Sequence, residues 1–364
     1  MSRPSIRPGG AAGWSRRSLL LSALAAPVAW ALPARTLQFP HDFGSHPALR
    51  TEWWYITGHA RAGAREFGFQ LTFFRSRVDA TQAMRSAFAA KQLIFAHAAI
   101  TDLDGRKLWH DQRIAREGFG LAGAREDDAH LVLGHWRLDR DANGEWHAQL
   151  DSAAAGFGLD LRLSSATPPL LQGDAGWSRK GPDEGEASFY YSLPQLAASG
   201  TLRRDGRGLA VQGRAWLDHE WSESLMPPTA VGWDWIGMNL ADGGALTAFR
   251  LRDAQGRAVW SGGSLRSADG RLQVFEPGID TVRFTPGRRW TSPATGAVYP
   301  VEWSIATPAG RFGVRARMDA QELDSRASTG SVYWEGLSTL LDEQGRAQGH
   351  GYLEMTGYAS ALRL

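Results

Sequence analysis

The chain contains no cysteine. Disulfides, thiolate metal sites, cysteine nucleophiles and a lipidated amino-terminal cysteine are thereby excluded. The compartment stays open, because exported proteins need not carry disulfides. No Gly-x-Ser-x-Gly elbow occurs, so no α/β-hydrolase serine is offered. His219-Glu220 lacks the second histidine of a His-Glu-x-x-His zinc helix and stands in a strand context, and no metal site is expected. Gly118-Phe119-Gly120-Leu121-Ala122-Gly123 fits the dinucleotide-binding pattern, with Asp139 downstream. No helix-forming segment follows it, so it reads as a chance match in a glycine-rich chain, and no cofactor is expected. Beyond the first 31 residues no apolar run is long enough to span a membrane.

What is present begins with the amino terminus. Ser15-Arg16-Arg17-Ser18-Leu19-Leu20 is a twin-arginine-like motif, followed by an apolar run from Leu19 to Trp30 and an Ala29-Trp30-Ala31 cleavage signal. The run falls short of the ~20 residues that a span needs. Residues 1–31 are therefore expected to be an export signal cut after Ala31, which sends the protein to the periplasm or beyond. That segment holds Arg3, Arg7, Arg16 and Arg17 and no acid. The rest of the chain carries 36 basic against 38 acidic residues. No basic stripe is left for a nucleic acid, and no nucleic-acid partner is expected.

A length of 364 residues suits two domains of ordinary size. With 43% hydrophobic and 21% charged residues the chain is globular, and 16 Trp and 42 Gly suit many short strands with tight turns. Thr51–Gly58 is aromatic and β-prone. Phe67–Phe73 alternates apolar with small or polar residues, which predicts a half-buried strand. Arg75–Gln92 breaks the pattern, and Met84–Lys91 is expected to be a short helix or lid. Leu93–Thr101, with His97 expected as a hydrogen-bonded core histidine, returns to strand. Further strands are expected at Leu131–Leu138, Trp146–Leu150, Phe157–Leu163, Ser188–Ser192 and Gly208–Trp216. A linker, Ser222–Val231, carries Pro227-Pro228. Strands resume at Gly232–Leu240, Ala245–Arg252, Val298–Ile305, Phe312–Met318, Val332–Leu337 and Gly351–Tyr358. Asn143-Gly144, Asp205-Gly206, Asp242-Gly243 and Asp269-Gly270 mark hairpin turns. Short strands at this spacing argue for an all-β sandwich or barrel.

The two halves echo one another. Trp53-Trp54-Tyr55-Ile56 opens the first and Trp233-Asp234-Trp235-Ile236 the second. Gly213-Arg214-Ala215-Trp216-Leu217-Asp218 closes the first and Gly349-His350-Gly351-Tyr352-Leu353-Glu354 the second. Both closings read Gly-x-x-aromatic-Leu-acid, which favours tandem copies of one β architecture, at 32–225 and 226–364.

Gly213–Trp221 is the chemically densest stretch. On a strand, Trp216, Asp218 and Glu220 share one face while Leu217, His219 and Trp221 share the other. Asp218, Glu52 and Glu354 are acids embedded in aromatic strands, and a buried carboxylate is costly unless it is paired or protonated. Each is either bonded structurally, with Arg50 or Arg214 as candidate partners, or held as a functional acid. Asp218, His219 and Glu220 are the candidate catalytic group. Trp53, Tyr55, Tyr190, Tyr191, Trp216 and Trp233 are the candidate substrate-binding residues.

Glu52-Trp53-Trp54-Tyr55, Tyr190-Tyr191-Ser192-Leu193-Pro194, Trp216–Trp221, Gly232–Trp235, Tyr333–Gly336 and Gly351–Tyr358 resemble the AttH-like family. This lipocalin-like superfamily also holds the carotenoid 1,2-hydratases, and many of its members are described as secreted hydrolases. The resemblance runs from about His46 to Tyr358. It implies two tandem lipocalin-like antiparallel barrels. It also implies that Asp218, the counterpart of an acid thought to protonate a double bond, is a proton donor. Where the hydratases carry Tyr in that motif, this chain carries Trp216. The leading expectation is an exported protein with an apolar interior pocket that protonates a lipophilic, unsaturated substrate. A non-catalytic carrier and a hydrolase are the alternatives.

Overall fold

The computed structural model describes residues 32–362. The first half folds as β1 (Thr51–Ala62), β2 (Arg65–Arg77), β3 (Gln92–Asp102), β4 (Lys107–Arg116), β5 (Ala122–Ala124), β6 (His130–Leu133), β7 (Trp136–Arg140), β8 (Trp146–Ser152), β9 (Phe157–Ser164), β10 (Leu170–Leu171), β11 (Trp177–Arg179), β12 (Ala187–Arg204) and β13 (Arg207–Ser224). These make one antiparallel sheet in the order β4-β3-β2-β1-β13-β12-β9-β8-β7-β6-β5, with β10 and β11 against β12. It curls into a nearly closed barrel around Trp54, Phe73, Trp146, Tyr191 and Trp221.

The second half folds as β14 (Gly232–Leu240), β15 (Ala245–Arg252), β16 (Ala258–Arg266), β17 (Leu272–Gly278), β18 (Arg283–Pro286), β19 (Arg289–Thr291), β20 (Val298–Pro300), β21 (Glu302–Thr307), β22 (Gly310–Ala316), β23 (Glu322–Ser325), β24 (Ser331–Leu341) and β25 (Ala347–Met355). Its main sheet runs β17-β16-β15-β14-β25-β24-β22-β21-β18, with β23 on β24 and a separate β19-β20 pair. Its core holds Ile236, Trp303, Trp334 and Leu353.

The fold is all-β and lipocalin-like, and the sequence echo has a structural counterpart. In each half the opening strand pairs with the closing strand. Tyr55 lies opposite Asp218 and Ile56 opposite Leu217. Trp235 lies opposite Glu354 and Ile236 opposite Leu353. The paired glycines have one job in common. A Cβ at Gly213 would stand 2.0 Å from the His59 carbonyl oxygen, and one at Gly349 would stand 2.1 Å from that of Asn239. Both closing strands reach their neighbour only because those positions lack a side chain.

Several local expectations change. Phe67–Phe73 is buried on both faces rather than one. Its apolar residues fill the barrel, and its small and polar ones lie under the second half. A Cβ on Gly68 would stand 2.7 Å from the Tyr352 hydroxyl. Met84–Lys91 is neither strand nor helix but an exposed loop after a 3-10 turn at Asp79–Thr81. Leu131–Leu138 divides into β6 and β7 around Gly134, whose φ of 61° makes the turn. Val298–Ile305 divides into β20 and β21. Ser188–Ser192 and Gly208–Trp216 grow into eighteen-residue strands joined by the two-residue Asp205-Gly206 loop. Both loop residues have positive φ, as a tight hairpin turn requires. The glycine-rich stretch at 118–123 leads into β5, not into a helix. The expected export signal lies outside the described residues. Among those described, no helix is long and apolar enough to cross a membrane.

Candidate functional site

The barrel of the first half is packed with aromatic and aliphatic side chains. The cavity lies instead between the two halves and measures about 550 Å³. The period of two explains this. Trp54, Leu217 and His219 point into the barrel, so Trp53, Tyr55, Asp218 and Glu220 point out of it. In the second half Trp233, Trp235, Phe249, Tyr333, Glu335 and Glu354 face back across the gap. Each half thus supplies an acid, Asp218 or Glu354, from the matching position of its closing strand, and the first half adds Glu220.

Asp218 is buried and faces the cavity. Its Oδ1 accepts from the Ser192 hydroxyl at 2.5 Å and from Trp216 Nε1 at 2.8 Å. Among the described residues no arginine or lysine pairs with it, so the expected Arg214 contact does not form; the Arg214 guanidinium bonds the Gln195 carbonyl instead. Burial pushes the Asp218 carboxyl up to about 7, Ser192, Trp216 and the Tyr190 hydroxyl oppose the shift, and the Glu220 charge adds to it. A carboxyl raised that far holds its proton toward neutral pH, the condition that suits a proton donor.

Glu220 shares the cavity but is already committed. Its Oε1 accepts from Lys180 Nζ at 2.8 Å and from the Ser188 hydroxyl. Lys180 Nζ also stands 4.7 Å from the centre of the Tyr190 ring and 4.6 Å from that of Phe249. Trp235 Nε1 donates to the Tyr190 hydroxyl at 3.2 Å. Trp53, Tyr55, Tyr190 and Trp233 all line the cavity.

Three candidates stand elsewhere. His219 points into the barrel, where its ring stacks on Trp54 at 4.4 Å. Its Nε2 donates to Glu52 at 2.9 Å, and its Nδ1 accepts from the Tyr191 hydroxyl at 3.0 Å. Burial holds the ring down at about 4, against the pull of Glu52, so it is neutral. Tyr191 shares that barrel interior and does not reach the cavity. Trp216 supports Asp218 from behind and borders a separate groove of about 380 Å³. Strand parity places His219 and Tyr191 inside the barrel, whereas Trp216 shares the outward face of Asp218 and lies further along the strand, and neither His219 nor Glu220 bridges the two halves.

Glu52 is structural. Its partner is Arg75 at 2.7 Å, not Arg50, and it also accepts from His46 Nδ1 at 2.7 Å and from the Ser45 hydroxyl. Burial alone would raise it, but His219, His46 and Arg75 outweigh burial and hold it well below the usual carboxylate range.

Sequence reasoning passed over Lys180 and Glu335. Lys180 arrives on a loop with no pattern to flag it. Glu335 was visible, because it shares strand parity with Tyr333, which faces the cavity. Glu335 lies directly opposite Glu354 on the adjacent strand. Burial first, and the neighbouring Glu354 charge second, raise Glu335 well above its ordinary value. Glu354 rises to about 8, again chiefly by burial.

His97 is a bonded, buried histidine at the cavity edge, neutral because burial lowers it to about 3. Its Nδ1 meets the Tyr333 hydroxyl at 2.8 Å and its Nε2 meets Ser328 Oγ at 2.8 Å. Ser328 donates its own proton to Gln112 Oε1 at 2.6 Å. His97 is then the donor to that serine rather than its base, which does not make a hydrolytic nucleophile.

Comparison with known proteins agrees with this architecture. Residues 30–358 match the AttH-like family. The crystal structure of an AttH protein from Nitrosomonas europaea is 43% identical, with 90% of this chain and 99% of that one covered and a TM-score of 0.83. Kievitone hydratase from Nectria haematococca is 14% identical, with 90% of this chain and 94% of that one covered and a TM-score of 0.67. The second likeness is one of fold. No curated protein matches.

Proposed function

The chain belongs to the AttH-like family, and from that premise we propose that it is an exported enzyme which protonates a carbon–carbon double bond in a lipophilic ligand held between its two halves. One observation carries the reading. Asp218 is a buried carboxyl, raised to about 7, without a cationic partner among the described residues and open to a cavity with aromatic walls.

The chemistry follows from those surroundings. The neutral acid gives its proton to one alkene carbon, and the other carbon becomes a cation. The faces of Tyr190, Trp53 and Trp235 attract positive charge. Lys180 does not oppose them, because Glu220 neutralises it. Water then captures the cation and returns a proton to the Asp218 carboxylate, so the sum is alkene plus water giving an alcohol. The hydratase named among the structures of this fold is consistent with such a step. The paired arginines and apolar run before Ala31 support export.

The same cavity suits a non-catalytic carrier, since apolar walls with a few polar groups suffice to bind a lipid. Asp218→Asn separates the readings. The change keeps the shape and the acceptor for Ser192 and Trp216 but removes the acid. The molecule that co-purifies with the mature protein is identified by mass spectrometry and incubated with wild type and variant in ¹⁸O-labelled water. Catalysis predicts a loss of label incorporation of about 100-fold or more, the usual scale of general-acid catalysis. Equal incorporation with ligand still bound would leave the carrier.

A further inference from the structure

Two stretches marked in the sequence take no part in the chemistry at Asp218: the loop Met84–Lys91 and the glycine-rich run at 118–123. The fold brings them together. Arg77 pairs with Gln92, and Leu93 pairs with Arg116. The loop between β2 and β3 and the chain after β4 therefore leave the sheet at the same end. There the Phe88 and Phe119 rings stack with centroids 5.6 Å apart. The Arg116 guanidinium lies over both rings, 5.5 Å from the first and 4.2 Å from the second.

The fold does not bury these side chains. Phe88 is 75% exposed, Phe119 59% and Leu121 61%. With Met84 and Ile114 they are five of the nine large apolar side chains that stand exposed among the described residues. Single exposed apolar residues are ordinary, whereas a cluster of them marks an interaction site. Gly118, Phe119 and Gly120 all have positive φ, at 111°, 58° and 69°. That backbone is rare for phenylalanine, and here it carries the ring outward.

The charge around the rings points to the partner. Arg85, Lys91 and Arg116 stand in no ion pair among the described residues, and Arg116 bonds only the Ala87 carbonyl. Of the acids beside them, Asp79 is held by Arg77, which leaves Glu117 against three cations. Apolar loop tips ringed by unpaired cations complement a bilayer with negative headgroups: rings enter the acyl boundary while the cations stay with the phosphates. The position fits as well. Val78, Asp79 and Ala80 begin the same loop and line the rim of the inter-half cavity.

We propose that the loops at 78–91 and 117–121 dock this protein on an anionic lipid bilayer, with Phe88, Phe119 and Leu121 in the acyl boundary and Arg85, Lys91 and Arg116 on the phosphates. Docking sets the cavity rim against a reservoir of lipophilic ligand. It uses no residue of the Asp218 site, so it stands or falls apart from the proton-transfer reading.

The test sediments the mature protein, without the apolar run before Ala31, with vesicles of phosphatidylcholine alone or with phosphatidylglycerol added. With about one third phosphatidylglycerol, binding should be about tenfold stronger or more and should weaken with salt, as three cations near the surface imply. Phe88→Ser with Phe119→Asn should lower it about tenfold, by the lost apolar insertion. Arg85→Gln with Lys91→Gln should remove most of the preference for anionic vesicles. Ile279→Ser, 57% exposed in the wild type and on the second half, should change nothing. Because the chain has no cysteine, Leu121→Cys carries one nitrobenzoxadiazole label, whose emission should shift to the blue on anionic vesicles. The same label at Ile279→Cys should not shift. Equal binding to both vesicle types, no binding to either, or an unshifted label at 121 overturns the proposal. Self-association that Phe88→Ser with Phe119→Asn abolishes, without vesicle binding, overturns it too and gives the patch to a second copy of the chain. If Phe119→Asn does not fold, Phe88→Ser decides alone, since that side chain lies on an exposed loop.

Discussion

Lys180 Nζ lies 2.8 Å from Glu220 Oε1 in the wall of the cavity, with both side chains buried. The contact divides the two acids of the closing strand. Glu220 has a cation and Asp218 has none, although they are two residues apart on the same face.

The first prediction tests that division. Lys180→Met leaves the Glu220 charge buried and unpaired, which costs about 3–5 kcal/mol. Glu220→Gln alone strands the ammonium at a similar cost. The double variant should recover most of the loss, because a buried pair is often close to neutral against an uncharged replacement. Urea unfolding of the four proteins, analysed as a double-mutant cycle, gives the coupling. Additive losses would show that the pair does not act as a unit.

Stability should depend on pH with a particular sign. Folding raises Asp218 from 3.8 to about 7 and Glu354 from 4.5 to about 8. The native state therefore keeps protons that the unfolded state releases. The stability these two groups support is complete below about pH 4 and declines as pH rises to 7 and 8. Glu52 runs the other way. It is held well below 4.5, so its contribution is present above about pH 4.5 and is lost as pH falls. Urea unfolding across this range should show a maximum on the mildly acid side, and Asp218→Asn should flatten the alkaline limb. An unchanged limb in that variant would remove Asp218 from the account.

The barrel network should matter to folding and not to the ligand. Glu52→Gln removes the anion shared by Arg75, His46 and His219, at a cost of about 3–5 kcal/mol. His219→Gln should also destabilise the protein while the folded fraction binds the same ligand with unchanged affinity. Calorimetric unfolding and ligand titration of these variants report the two properties separately. A selective loss of binding in His219→Gln would return that residue to the functional site.

The glycine pair offers a comparison between the halves. Gly213→Ala and Gly349→Ala each place a methyl about 2 Å from a carbonyl oxygen of the neighbouring strand. Each should cost roughly 1–3 kcal/mol or more, as overpacking does. Gly123→Ala, whose Cβ would come no closer than 3.9 Å to any atom, is the control. Unfolding midpoints that separate the pair from the control support the shared role.

Much of this was legible in the residues, and the limits are physical. Gly232–Leu240 and Ala245–Arg252 have the observed bounds of β14 and β15, because aromatic and β-branched runs end there at turn signals. Alternation also sorted Asp218 and Glu220 from His219. What alternation cannot say is which face of a strand looks inward. Trp53 and Trp54 are alike in chemistry, yet one lines the cavity and the other fills the barrel. That choice depends on the second half covering the outer face of the first. The same cover explains why Gln70 and Thr72 are buried although they read as a solvent face. Lys180 was out of reach for another reason, since the chain between β11 and β12 carries no period.

Asp218 and Glu354 hold corresponding places in two copies of one pattern, and both face the same space. A copy standing alone would show its acid to bulk water, where an ordinary carboxyl ionises near pH 4 and gives up no proton at neutrality. The acidity of this site is thus a joint property. A chain cut at the linker should lose it even if both pieces fold.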